Sequence, residues 1–491
     1  MTTSVFATNL LWVLLLANWV VEWNWHDKYQ ALRNNRLLHA FLILAAVHIL
    51  WLLGTENLNY GLFDIQKKLP LIAIPLVVLT SKPLQSRECF IVAIAYAATI
   101  LTVSLVALGR YLTIPDLPYR NLVPHISHIR FGLNICFTIY LILYAMVKFR
   151  RTWLYVAGSV LILWFLFFLM LIHSYTAYII LAVTSTVLLI AYSGHLTRRL
   201  RHTATLSMTI ILLSIAALTG YYLHDYFHLQ SLSTQPLQPC TANGNPYLHR
   251  HDGLIENGNY VHLYVCEKEL RQEWNKVSSY PFDSITPTGY TVYPALLRYL
   301  GAMGYTKDSV GMTHLQPNDI SAIEKGIANP VYLHPGPRKL FYVLFYEFEN
   351  FRCYRNVSNF SFLQRIELWR NAWHVFLQHP LFGVGTGDVV DQCHQRLDDT
   401  HSPLADSGMH THNQYLNFLL AFGIVGFLLI LFPFIRAIRR DRLCNNILFT
   451  VFLCILLISF ISEDTLETLA GIMFTVMGTI LPKNEKQCNR L

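Results

Sequence analysis

His410-Thr411-His412-Asn413-Gln414-Tyr415-Leu416-Asn417-Phe418-Leu419-Leu420-Ala421-Phe422-Gly423-Ile424-Val425-Gly426 runs directly into an apolar stretch that continues to residue 435. Four polar side chains, His410, His412, Asn413 and Gln414, therefore stand where a hydrophilic loop becomes a membrane span. Titratable groups are costly to hold at the edge of the hydrocarbon layer, and where they occur they mark a functional site. The stretch predicts an all-α integral membrane protein that carries out chemistry on a lipid-borne substrate.

The rest of the chain agrees with a membrane setting. It is 54% hydrophobic and 13% charged, against about 25% charged residues in an ordinary soluble domain. A span needs about 20 apolar residues at helical rise. Candidate runs fall at 5–21, 37–54, 69–81, 88–109, 131–147, 153–172, 174–193, 204–222, 413–435, 444–462 and 466–481, about eleven in all. The run at 69–81 is short and carries Pro70 and Pro75. The N-terminus lacks a basic region, and Trp23 and Trp25 follow the first run where a cleavage site would need small residues. A retained helix is expected there, not a signal peptide.

Basic residues in the short loops set the orientation. One side collects 18 of them: Lys28, Arg33, Arg36, Lys82, Arg87, Lys148, Arg150, Arg151, Arg198, Arg199, Arg201, Arg436, Arg439, Arg440, Arg442, Lys483, Lys486 and Arg490. The other side has five: Lys67, Lys68, Arg110, Arg120 and Arg130. The first side is read as cytoplasmic, with the C-terminus inside and, for an odd number of spans, the N-terminus outside.

Three regions follow: a transmembrane bundle at 1–222, a large outer loop domain at 223–411, and C-terminal transmembrane helices at 412–491. The loop domain holds 18 Asp/Glu and 14 Lys/Arg, a net −4 that leaves +12 for the rest of the chain. The positive balance thus reports topology and contact with anionic lipid, with no nucleic-acid partner required. Tyr293–Leu300 and Asn318–Ile327 read as short helices, the second with Asn318 or Asp319 as N-cap. Turn signals stand at Asn243-Gly244, Pro287-Thr288-Gly289 and Pro335-Gly336-Pro337. Four of nine cysteines, Cys240, Cys266, Cys353 and Cys393, lie in the loop, as disulfides or as free thiols.

Several groups on the outer side suit phosphate or proton chemistry. Lys67 and Lys68 either hold a phosphate or snorkel to headgroups at a helix end. Arg130 follows Pro124-His125-Ile126-Ser127-His128-Ile129 directly before a span, and a guanidinium gives bidentate hydrogen bonds to phosphate oxygens. Arg365, Trp369 and Trp373 recur at i, i+4 and i+8 on one helical face, which would lie at the interface. The glycine-rich turn Pro380-Leu381-Phe382-Gly383-Val384-Gly385-Thr386-Gly387-Asp388 could offer backbone N–H groups to a phosphate or be a simple turn. His412 has the titration range of a general base, and Asn413 and Gln414 could orient its imidazole or a substrate hydroxyl. No His-Glu-x-x-His, no paired Cys-x-x-Cys and no dinucleotide fingerprint occurs, so neither metal nor cofactor is expected.

Two motifs carry a resemblance. His412-Asn413, nine residues, Gly423, two residues and Gly426 resembles the signature of the bacterial O-antigen ligase family. The preceding Arg365-x-x-x-Trp369, then Pro380-Leu381-x-Gly383-x-Gly385, is similar to what stands before that signature in related proteins. The resemblance spans most of residues 26–481. It implies a GT-C-like, metal-independent glycosyltransferase with about twelve spans, of which this chain shows eleven. Its donor would be a glycan on undecaprenyl diphosphate, its acceptor lipid A-core, and its place the periplasmic face of the bacterial inner membrane. The family also places an arginine in the loop of Arg130. By the same resemblance His412, Arg130 and Arg365 form the catalytic set, and Asn413, Gln414, Trp369, Lys67 and Lys68 contact substrate. One departure stands out: many relatives have Ser-Arg where this chain has Ser174-Tyr175, so Arg130 or Arg365 must replace that cation. An O-antigen polymerase or a protein O-oligosaccharyltransferase would use the same donor, and a polysaccharide transporter is the non-enzymatic alternative.

Overall fold

A computed structural model describes residues 5–476 and 478, apart from 83, 115–116, 118–120, 193–197, 231–235, 252, 287–288, 290, 335, 355–356, 358–360 and 409. Arg120, Lys483, Lys486, Arg490 and parts of two loop turns, at 287–288 and 335, lie outside the described residues. Helix dominates. The one regular sheet among the described residues is an antiparallel pair, Ile255–Glu256 with Asn259–Tyr260. By packing the chain forms two compact units, residues 1–202 with 365–491, and residues 203–364.

The first unit contains α1 (Val5–Val21), α2 (Trp25–Asn34), α3 (Arg36–Leu50), α4 (Leu58–Lys68), α5 (Pro70–Thr80), α6 (Ser86–Thr113), α7 (His128–Phe149), α8 (Thr152–Leu171) and α9 (Tyr175–Tyr192). After α10 (Arg198–Phe227), most of which belongs to the second unit, it resumes near the start of its next helix and ends with a tight C-terminal group. Seven helices among the described residues are long and apolar enough to cross a bilayer: 36–54, 87–113, 128–149, 152–171, 175–192, 205–227 and 414–440. This is a multi-pass membrane protein.

Four of the expected runs are not among those seven, each for a local reason. The first bends by 115° between Phe6–Val21 and Trp25–Asn34. At that corner Lys28 is buried, donates to the carbonyls of Trp19 and Glu22, and sits over the Trp19 and Trp25 rings at 4.8 and 5.1 Å. The second, Pro70–Thr80, has 11 residues, about half the length a span needs. Ile447–Ser462 has 16, and the run at 466–481 leaves the described residues beyond 478.

The second unit has its own core. Helices α11 (Glu267–Val277), α12 (Val292–Ala302), α13 (Ser309–Thr313), α14 (Pro317–Glu324) and α15 (Pro337–Tyr354) belong to it, and Leu270, Trp274, Phe282, Leu296, Leu300 and Ile323 are all buried at its centre. Both short helices expected in the loop are present as α12 and α14. The cap of α14 differs from expectation: Gln316 is the N-cap, and Asp319 returns the bond to its backbone N–H as the reciprocal partner. Pro317 takes the first helical position, where its missing N–H costs nothing, and this moves the start upstream. Cys240, Cys266, Cys353 and Cys393 are free thiols.

Candidate functional site

In the first unit, α16 (Ser361–Gln378), α17 (Val389–Asp399), α18 (Gln414–Arg440) and α19 (Ile447–Ser462) meet the end of α7 around one acidic turn, residues 463–467. Gln414 Oε1 accepts the Leu466 N–H at 2.8 Å, and Ser459 and Thr465 share a hydroxyl bond at 3.1 Å. These bonds hold three carboxylates, Glu463, Asp464 and Glu467, in a fixed array. None of the three was expected from the sequence. The available signal was three acids within five residues between two apolar runs.

Glu463 and Asp464 draw together His412, Arg130 and Arg365. Arg130, in the first turn of α7, places Nη2 3.2 Å from Asp464 and 3.4 Å from Glu463. Arg365, on α16, places Nη2 3.2 Å from the other oxygen of Glu463. His412 Nδ1 lies 3.9 Å from Asp464. Both carboxylates are 5% exposed, so the ion pairs work in a desolvated setting. Two arginines and two carboxylates sum to zero charge. Each guanidinium keeps a buried Nε–H with no hydrogen bond among the described residues.

His412 adopts a left-handed backbone, φ 48°. For a side chain of this size that conformation costs about 1–2 kcal/mol, which the surrounding packing must offset. Burial lowers the pKa of His412; Asp464 acts to raise it and Arg365 to lower it further. Burial raises the pKa of Glu463, against the pull of Arg130 and Arg365. His412, Glu463 and Asp464 also offer ligand atoms within 4.8 Å of one another, the geometry of a cation site. The two guanidiniums already hold those carboxylates, so a divalent ion would add charge to a balanced cluster.

The remaining expected residues have structural partners. Asn413 caps α18, its Oδ1 accepting the Leu416 N–H at 3.1 Å. Gln414 is fully buried with Oε1 on the acidic turn, and its Nε2 has no partner within the protein. The side-chain oxygens of both thus serve backbone, while His412 Nδ1 makes no hydrogen bond among the described residues and lies 3.9 Å from Asp464. Trp369 Nε1 donates to the Thr411 carbonyl at 2.9 Å, tying α16 to the loop that carries His412.

Lys67 and Lys68 form a second cluster. Lys68 Nζ lies 2.7 Å from Asp64 and 3.0 Å from Glu467; Lys67 reaches the same two carboxylates at 3.3 and 3.7 Å. Asn417 adds a bond to Glu467 at 2.8 Å. Burial opposes the charge of Glu467, but Lys68 and Lys67 outweigh it and bring its pKa to about 2. Lys68 is buried, so this lysine does not snorkel to headgroups.

The glycine-rich turn resolves to packing. Its N–H groups are used inside the protein: Val384 on Leu420 O at 2.8 Å, Gly385 on Ala421 O at 3.0 Å, and Gly387 on Thr55 Oγ1 at 3.3 Å. In return Ile424 and Val425 donate to Pro380 and Leu381. Asp388 accepts the N–H groups of Glu56 and Asn57, both at 2.8 Å. A phosphate would find these donors occupied, so the cradle reading is set aside.

The helices thus bring together, at their ends, an ion-paired cluster of two arginines, a histidine and two carboxylates. Residues 338–431 match the family model described as O-antigen ligase. The match covers about a fifth of the chain and supports its assignment to that family. The matched segment contains Arg365, Trp369, His412, Gly423 and Gly426, while Arg130 and the acidic turn lie outside it. No curated protein matches the chain.

Proposed function

We propose that this protein is an O-antigen ligase-type glycosyltransferase, moving a glycan from undecaprenyl diphosphate to lipid A-core at the periplasmic face of the inner membrane. The observation that carries the reading is the convergence of His412, Arg130 and Arg365 on Glu463 and Asp464. In this reading the chain is GT-C-like, crosses the membrane eleven times when bent and short helices are counted, and exports residues 223–411.

His412 takes the proton of the acceptor hydroxyl, whose oxygen attacks the anomeric carbon while the bond to the diphosphate breaks. Asp464, 3.9 Å from Nδ1, stabilises by its charge the imidazolium that forms. Arg130 and Arg365 bind the diphosphate and stabilise the charge it gains as leaving group. Their Nε–H donors, unused within the protein, are the groups available to it. The arginines supply the positive charge, so the step is proposed to need no metal.

A deletion strain read on a gel of envelope glycolipid tests the assignment. Bare core with polymer stranded on the carrier is the expected pattern. Core capped by a single repeat would identify a polymerase in its place.

A further inference from the structure

Beside the arginine cluster, on the other side of the acidic turn, lies a polar chamber that the mechanism above does not use. His48, Tyr60, Lys68, His410, Asn417 and Glu467 line it, with Phe422 among its apolar walls. Counted out to its opening it encloses about 370 Å³; its closed part has room for a single water-sized group. His410 is the one exposed residue of the lining, so the chamber opens there, two residues from His412.

Its chemistry is specific. His48 is 4% exposed and its ring is held edge-on to Phe422 at 4.7 Å. Nδ1 lies 2.7 Å from the Leu44 carbonyl, which can only accept, so Nδ1 carries the proton. Nε2 then presents a lone pair and has no hydrogen-bond partner among the described residues. Lys67 and Lys68 are balanced by Asp64 and Glu467, and the carboxylates would repel an anion. The vacant acceptor and the balanced charge suit a neutral hydroxyl, not a phosphate.

We infer that this chamber binds one exocyclic hydroxyl arm of a sugar whose ring sits at the opening beside Tyr60 and His410. The inference rests on the glycosyltransferase reading and names a subsite for it. Two sugars carry such an arm to His412: the acceptor sugar and the first sugar of the donor glycan. Either would be held by the hydroxyl bond it donates to His48 Nε2 and by a second bond to the Tyr60 hydroxyl at the opening, placing its reacting centre at the imidazole.

The test uses the full-length protein in nanodiscs, lipid-linked glycan as donor and purified lipid A-core as acceptor. Transfer by the wild-type protein reports on the ligase reading; the variants, relative to it, report on the chamber. His48→Leu removes the acceptor nitrogen, and Tyr60→Phe removes a hydroxyl while keeping the ring. A rise in one KM of about three- to tenfold, exceeding any fall in kcat, is expected from the loss of one buried hydrogen bond. A rise confined to the acceptor KM assigns the chamber to the acceptor, and one confined to the donor KM assigns it to the donor. Wild-type KM values for both substrates in Tyr60→Phe overturn the subsite, even if His48→Leu is too unstable to assay.

Discussion

Gly423 and Leu381 are in direct backbone contact: a Cβ on Gly423 would stand 2.3 Å from the Leu381 carbonyl carbon. Gly423 also has φ 62° and ψ −170°, a break inside α18 that only glycine takes without strain. The glycine signature and the Pro-Leu-x-Gly-x-Gly turn are therefore one unit, each accepting the other's backbone. Gly423→Ala is expected to destabilise the protein by about 3 kcal/mol or more, the combined cost of strain and overpacking. Thermal unfolding in detergent, with the Gly426→Ala variant for comparison, checks this. A Tm for Gly423→Ala within a degree of wild type would refute it.

His412→Ala should slow transfer by roughly 10²–10⁴-fold, the usual contribution of a positioned base. Since the folded protein lowers the pKa of His412, the base stays deprotonated to lower pH than a free imidazole, and the acid limb of kcat falls below 6.5. Asp464 raises that pKa, so Asp464→Asn should move the limb further down while reducing kcat. A limb that moves upward would contradict the pairing.

Arg130→Lys and Arg365→Lys should each reduce turnover tenfold or more, since an ammonium loses the Nε–H and the forked geometry. Single-turnover transfer from lipid-linked glycan measures it, with and without EDTA. Rates in EDTA equal to those in buffer are expected. Loss of activity on chelation, restored by a divalent ion, would assign His412, Glu463 and Asp464 to a metal.

Lys307 in the second unit is fully buried, and among the described residues its Nζ has one hydrogen bond, to the Tyr260 carbonyl at 3.4 Å. Burial brings its pKa down from 10.5 to about 7, against the pull of Asp308. Between those values the unfolded chain binds the proton and the folded chain does not, so stability rises with pH from about 7 to 10.5. The penalty is fully present below about 7. Lys307→Met should therefore stabilise this unit at pH 6 by on the order of 2–5 kcal/mol and flatten the pH dependence. Fluorescence of the full-length protein, to which buried Trp274 contributes, follows it on heating. A lower Tm in the variant at pH 6 would count against the unpaired-charge account.

The proposed sidedness can be read with native thiols, because Cys240 and Cys444 are both exposed. An impermeant maleimide should modify Cys240 in intact cells and Cys444 only after lysis, judged by mass spectrometry of the two peptides. The reverse pattern would invert the topology.

Hydropathy along the chain was enough to establish a helical membrane protein, since each span satisfies its own backbone and buries itself in lipid regardless of its neighbours. The motif around His412 and the arginines at 130 and 365 were legible for a related reason: charged groups at a membrane edge are rare, so each one is conspicuous. What the sequence could not convey is which charges neutralise which. Lys68 and Glu467, or Arg130 and Asp464, are separated by more than 300 residues, and their pairing depends on how α4, α7 and the acidic turn pack. Nor could it distinguish a phosphate cradle from a packed turn at Gly383–Gly387, because both use the same glycines. Only the tertiary structure decided that those N–H groups face Leu420, Ala421 and Thr55, and that His48 keeps an acceptor nitrogen for something the chain itself does not supply.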